Sequence, residues 1–158
     1  MIATVLSRAP FAMEAPEVCV EVHLAGGLPF LSIVGLPEGS VKESKDRVRS
    51  ALTTANFDFP AGRITVNLAP ADLPKEGGRF DLPIALGVLA ASEQIPADVL
   101  GDCEFYGELS LSGELKPVRG VLPAVCQAAR AGRRVIVPQQ NFDEARLVEG
   151  ARVAGASH

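Results

Sequence analysis

Residues 82–91 read LPIALGVLAA, a run without a charged or amide side chain. Laid on a helix, Leu82, Ile84, Ala85, Leu86, Val88, Leu89 and Ala90 leave no polar face. A helix that is apolar all round is stable only in the centre of a domain, covered on every side. Asp81 stands where an N-cap is needed, and Pro83 falls in the first turn, where its missing N–H costs little. Polar residues return at Ser92, Glu93 and Gln94. Ahead of the helix comes a β-branched strand (Ile64, Thr65, Val66), then a loop with Pro70, Pro74, Gly77 and Gly78. Residues 63–91 therefore read as strand, glycine loop and buried helix, an order that often holds a ligand or a catalytic group.

The rest of the chain supplies the cover. Residues 1–8 predict a first strand and residues 9–15, with Pro10, a turn. Residues 17–24 alternate, with Val18, Val20 and Val22 on one side and Glu17, Cys19, Glu21 and His23 on the other, which predicts a half-exposed strand. Gly26-Gly27 breaks it before a third strand at 30–34, and the pair reads as an antiparallel hairpin. After the turn at Pro37-Glu38-Gly39, Ser40 and Glu43 form a capping-box pattern for a helix carrying Val41, Val48, Leu52 and Ala55 inward. Glu43 and Arg47 are placed as a helix ion pair. Lys42, Glu43, Lys45, Asp46, Arg47 and Arg49 are expected to face outward, either as a solvated surface or as a contact to a partner subunit or nucleic acid. Phe57 and Phe59 are expected to tuck inward from the loop that follows.

Downstream, residues 104–111 predict a strand closed by Ser112-Gly113, and 114–118 a short returning strand. Val121, Leu122, Val125, Cys126 and Ala129 mark a helix, with Pro123 in its first turn and Gly132 past its end. A strand at 135–137, a last helix capped by Asn141 or Asp143 and running through Val148, and a strand at 152–154 complete one α/β or α+β domain. The tail at 155–158 reads as the lead-in to another element, so the chain is expected to be the first domain of something longer.

Several chemistries are disfavoured. The sequence lacks a Walker A pattern; Lys75-Glu76-Gly77-Gly78 is short and in the wrong order. With only His23 and His158, a Ser-His-Asp triad or a zinc cluster has little to draw on. Carboxylate pairs such as Glu76 with Asp81 or Glu104 with Glu108 are too common to signal chemistry. Cys19, Cys103 and Cys126 lack a CxxC pattern and sit among apolar neighbours, as buried reduced thiols do. Hydrophobic residues make up 47% against 22% charged, as expected of a soluble domain. No apolar run approaches the roughly 20 residues of a membrane span, and residues 1–7 lack a basic leader region, so a cytoplasmic location without membrane contact is expected. The net charge of −4 argues against a stand-alone nucleic-acid binder.

Three blocks then bring in a family. VEVHLAGGLPFLSIVGLPEGSVKESKDRVRSAL, ITVNLAPADLPKEGGRFDLPIALGVLAAS and FYGELSLSGELKPVRGVLPAV together resemble the amino-terminal domain of the ComM/YifB family, bacterial AAA+ proteins described as magnesium-chelatase-like. The resemblance runs through nearly the whole chain. It implies a Lon-protease-like domain of the ribosomal protein S5 domain 2-like group, with a mixed sheet and packed helices. It also implies an AAA+ module after His158 that carries ATP, Mg2+ and the Walker motifs. The full protein would then be a homo-hexameric helicase promoting DNA branch migration in natural transformation.

Lon-type peptidases use a serine–lysine dyad, with the serine in a PKDGPSAG-like loop and the lysine in a helix after a GEI-type strand. Pro74-Lys75-Glu76-Gly77-Gly78 matches the loop and Gly107-Glu108-Leu109 the strand. The serine position then falls on Arg79 and the lysine position on Leu122. A guanidinium stays protonated and cannot be a nucleophile, and Leu122 has nothing to titrate. The resemblance thus implies no catalytic residue, cofactor site or metal site in this chain. Arg79 is expected either in an ion pair with Asp81, Glu76 or another carboxylate, or in contact with a phosphate or a neighbouring subunit. Lys75, Arg79, Lys42, Lys45 and Arg49 are the candidate contacts to DNA or to another subunit. The alternatives are a Lon-like serine peptidase using a substitute dyad among Ser110, Ser112 and Lys116, and a chelatase-like chaperone subunit.

Overall fold

The computed structural model describes residues 1–10 and 14–158. The central helix, α3 (Asp81–Ala91), has no exposed residue along its length. It lies on strands β1 (Ile2–Arg8) and β2 (Glu17–Ala25), whose alternation turns Val5, Val18, Val20 and Val22 fully inward. The approach is close enough to need a glycine. A Cβ on Gly87 would lie 2.4 Å from Val22 Cγ2. Helix α2 (Ser44–Thr54) covers α3 from beyond with Val48, Ala51 and Leu52, preceded by the single turn α1 (Gly39–Lys42).

Among the described residues, the strands form a seven-stranded mixed sheet in the order β3-β4-β2-β1-β5-β8-β9, where β3 is Phe30–Val34, β4 Arg63–Ala69, β5 Cys103–Phe105, β8 Arg134–Pro138 and β9 Arg152–Ala156. β1 and β4 both pair antiparallel with β2, whereas β3 runs parallel to β4, and β5, β8 and β9 continue parallel from β1. The remaining strands, β6 (Glu108–Leu109) and β7 (Leu115–Lys116), make a separate small hairpin. Helix α4 (Val121–Arg130) and the single turn α5 (Phe142–Ala145) share a second apolar cluster with Tyr106, Val135 and Val137. This is the Lon-like α/β fold with a mixed sheet that the sequence leads one to expect.

Several local expectations are corrected. The second and third strands do not form a hairpin, because β4 inserts between them and takes the hydrogen bonds of both. The strand expected at 104–111 breaks at Tyr106-Gly107, where the chain leaves the large sheet for the small one. The last helix is a single turn, and Asn141 gives its side chain to the Val118 main chain instead of capping it. The capping box at Ser40 is not formed. The helix starts after Glu38, and the Ser40 hydroxyl accepts the Gly77 N–H at 2.9 Å. Asp81 is the first helical residue, not the cap, and its carboxylate turns sideways into the core. The expected turn at 9–15 falls partly on residues 11–13, outside the described residues; at its base the Ala9 N–H donates to the Pro16 carbonyl at 2.9 Å. The three cysteines are free, but only Cys103 is buried; Cys19 and Cys126 are half-buried.

Candidate functional site: a cleft over the glycine loop

The loop before α3 is tied down at both ends by its own cations. Lys75 is wholly buried, and its ammonium donates to the carbonyls of Gly35, at 2.7 Å, and Pro70. Its main chain zips to the segment after β3: Lys75 N–H donates to Leu36 O, and Glu38 N–H to Lys75 O. Burial pulls the Lys75 pKa down, opposed by the nearby Asp72 charge. Four residues on, Arg79 is 3% exposed. Its guanidinium donates to the Arg8 carbonyl at 3.1 Å and to the Arg119 carbonyl, and lies 6.0 Å from the centre of the Tyr106 ring. The ion pair with Asp81 or Glu76 does not form. Among the described residues Arg79 meets no carboxylate, and desolvation lowers its pKa from the usual guanidinium range.

Asp81 has other partners. Its two oxygens accept from Arg47 Nε at 2.6 Å, Arg47 Nη2 at 3.1 Å, the Ser44 hydroxyl and the Leu109 N–H at 3.0 Å. The hydrogen bond to Asp81 raises the Arg47 pKa. Arg47, expected to face solvent, thus reaches across to lock α2 to α3 and β6, while keeping the predicted helix pair to Glu43 at 3.2 Å.

A second buried network has no counterpart among the expectations from sequence. Glu104, fully buried, accepts a two-pronged contact from Arg8 at 2.8 and 3.0 Å, the Tyr106 hydroxyl, and Arg133 at 3.1 Å. Arg133 also reaches Glu17. Desolvation, then the Glu104 charge, pushes the Tyr106 phenol well above its ordinary pKa. A signal for this network does exist in the sequence: a lone carboxylate inside the apolar run Cys103–Phe105 must be paired if it is buried.

Above the loop lies a cleft of about 490 Å³. Glu38, Ser40, Glu76, Glu108, Arg79 and Arg119 contribute its polar wall. The Glu108 carboxylate rests on the loop; a Cβ on Gly78 would lie 2.2 Å from its Oε1. Arg79 also brings the loop to the segment that opens α4. A Cβ on Gly120 would sit 3.1 Å from its Nη2, and Leu122, 41% exposed, follows in the first turn. Ser40 is the hydroxyl in the wall, and among the described residues no lysine hydrogen-bonds a serine. Ser110 and Ser112 bond each other at 3.0 Å, and Lys116 stands 3.9 Å from Glu114.

The candidate contacts divide by exposure. Lys42, Lys45 and Arg49 are exposed on α1 and α2, with Arg49 stacked 4.4 Å over the Phe59 ring, whereas Lys75 and Arg79 are buried in the loop. Among the described residues no His, Cys, Asp and Glu cluster could hold a metal ion, and no helix is long and apolar enough to cross a membrane.

Comparison with known proteins adds a lineage to this geometry. The family model described as "Subunit ChlI of Mg-chelatase" matches residues 20–141. Competence protein ComM of Haemophilus influenzae is 58% identical over 147 residues, covering 93% of this chain and 29% of the relative. YifB of Escherichia coli K12 is 50% identical over 157 residues, covering 99% of this chain and 31% of the relative. Lon protease 2 of Bacillus subtilis is 32% identical over 101 residues, covering 63% of this chain and 18% of the relative. The chain thus spans about three tenths of the length of the ComM and YifB relatives. With a Lon-like sheet, a cation-stapled glycine loop and these matches together, the chain belongs to the Mg-chelatase ChlI-like family that includes ComM and YifB.

Proposed function

We propose that this chain is the non-catalytic amino-terminal domain of a ComM/YifB-type AAA+ ATPase, a hexameric motor that drives branch migration of recombining DNA. ATP and Mg2+ belong to the AAA+ module outside these residues. One observation carries the non-catalytic part. The guanidinium of Arg79, the residue that the resemblance to Lon aligns with the nucleophile, is committed to two main-chain carbonyls. A guanidinium is not a nucleophile, and at 3% exposure this one offers little surface to a phosphate. The cleft above it is lined by Glu38, Glu76 and Glu108, which repel a phosphate further.

The domain's role is then to support ring assembly or to guide DNA, through the exposed cations Lys42, Lys45 and Arg49 on α1 and α2. Lys75 and Arg79 are structural in this reading. The test uses the full-length protein. Replacing Lys42, Lys45 and Arg49 by alanine lowers DNA affinity and shallows its salt dependence, by about 0.9 in slope for each duplex phosphate no longer neutralised, or shifts the hexamer to smaller species. A triple variant with unchanged DNA affinity, assembly and branch migration refutes the assignment of that surface. A fluorophosphonate probe leaves every serine unlabelled; labelling would restore the peptidase reading.

A further inference from the structure

Strand β3 is a free edge of the large sheet. Its sequence, FLSIV, holds no charge, proline or bulge, the devices that normally stop an edge from pairing. The opposite edge, β9, opens with exposed Arg152. The β3 edge is also apolar where it meets solvent: Phe30 is 55% exposed and Val34 46%, and the bends that flank the strand expose Leu28 and Leu36. Within the strand, Phe30 and Val34 are symmetric about Ser32, which is half-exposed.

The main-chain geometry shares that symmetry. Phe30 N–H donates to Gly62 O, and Phe30, Ser32 and Val34 are the partners of Arg63, Thr65 and Asn67 in the parallel ladder. The N–H and C=O groups of Phe30, Ser32 and Val34 therefore point at β4, and those of Leu31 and Ile33 point away from it. Among the described residues, nothing bonds these outward groups of Leu31 and Ile33.

We propose that the β3 edge pairs antiparallel with the same edge of a second copy, about a two-fold axis through Ser32. In this register Leu31 of one copy and Ile33 of the other exchange both main-chain hydrogen bonds, at both ends of the axis, so every outward group is satisfied. Phe30 then lies beside Val34 of the second copy. Phe30 and Val34 cover one another across the axis, and Ser32 meets Ser32. The Arg63 guanidinium sits 5.7 Å from the centre of the Phe30 ring. Phe30 residues of the two copies lie four positions apart along the ribbon, about 13 Å, so the two Arg63 groups do not collide. The contact is isologous and closes at two copies, so it is separate from the head-to-tail contacts that build a hexameric ring and would join subunits of two rings.

Equilibrium sedimentation of the 158-residue chain across the micromolar range tests this, and a concentration-dependent dimer is expected. Ser32→Asp places like charges face to face only in the dimer, and is expected to weaken association at least tenfold with an unchanged circular dichroism melt. Register is read by cysteine pairs. Ser32 faces its own copy at a non-hydrogen-bonded position, with Cα atoms about 4.5 Å apart, within disulfide reach. Mild oxidation of Ser32→Cys therefore yields that residue linked to its copy, identified by peptide mass. Mixing Phe30→Cys with Val34→Cys yields the mixed link in preference to either self-link. A chain that stays monomeric, a dimer unmoved by Ser32→Asp, an edge that takes only an unrelated extended peptide, or absence of these links overturns the proposal.

Discussion

Arg79→Ala tests whether the buried cation of the glycine loop is a strut. The side chain donates to the Arg8 carbonyl at the end of β1 and to the Arg119 carbonyl before α4, so it spans the loop, the sheet and the second apolar cluster. Hydrogen bonds from a charged donor contribute about 1.5–3 kcal/mol each. Losing both costs up to about 6 kcal/mol, and releasing a guanidinium buried without a carboxylate gives several back. The net expectation is a loss of about 3 kcal/mol. For a domain of this size that lowers Tm by about 6–12 °C. Urea denaturation of the 158-residue chain measures it directly. Arg79→Lys, a compact point donor unable to fork between two separated carbonyls, is expected to recover no more than half. If Arg79→Ala costs under about 1 kcal/mol, or if it removes DNA affinity from the full-length protein while stability is unchanged, the strut account is wrong.

The Glu104 network makes the next prediction. Glu104→Leu strands Arg8 in the core and is expected to cost about 3–5 kcal/mol, whereas adding Arg8→Met recovers most of it; a double-mutant cycle without coupling refutes the pairing. Tyr106 supplies a pH signature. Its raised pKa means the folded state holds a proton that the unfolded chain releases, so its contribution is intact below about pH 10 and declines as pH rises beyond. The stability advantage of wild type over Tyr106→Phe is therefore expected to shrink between pH 9 and 11, read by urea titration; a gap that widens contradicts the assignment. Gly87→Ala drives a methyl into Val22 and is expected to cost about 1–3 kcal/mol of overpacking, measured as a lower urea midpoint.

Much of this architecture is readable from periodicity. The all-apolar stretch has to be central, and it is. The alternation of Val18, Val20 and Val22 marks the face on which α3 lies. Periodicity reports which side of a strand is buried, not which strand lies beside it, and this is why the expected hairpin fails. The short connection from β2 to β3 invites a direct pair, but β4, from much later in the chain, is the better-matched partner for both. The caps fail for a related reason. Ser40 and Asp81 carry the right groups for local hydrogen bonds, yet tertiary partners outcompete the backbone: Gly77 N–H for Ser40, and Arg47, Ser44 and Leu109 for Asp81. In the candidate site, the positions of Arg79 and the glycine loop are legible. The partners of Arg79 are not, since a main-chain carbonyl leaves no trace in a sequence. The Arg8–Glu104 pair joins residues 96 positions apart, beyond any local pattern.

The two cations of the glycine loop hold atoms that every amino acid carries. Lys75 grips the carbonyls of Gly35 and Pro70, and Arg79 those of Arg8 and Arg119. At each anchoring point the identity of the side chain is immaterial to the bond itself. Of the four receiving residues, Arg8 is held by Glu104 and Gly35 has no room for a side chain, a Cβ there lying 2.2 Å from Leu68 O, so the tolerance falls on an exposed one, Arg119. Change in this part of the molecule is therefore tolerated lopsidedly: Arg119, on the rim of the cleft, is free to vary, while the two buried ends beneath it are not.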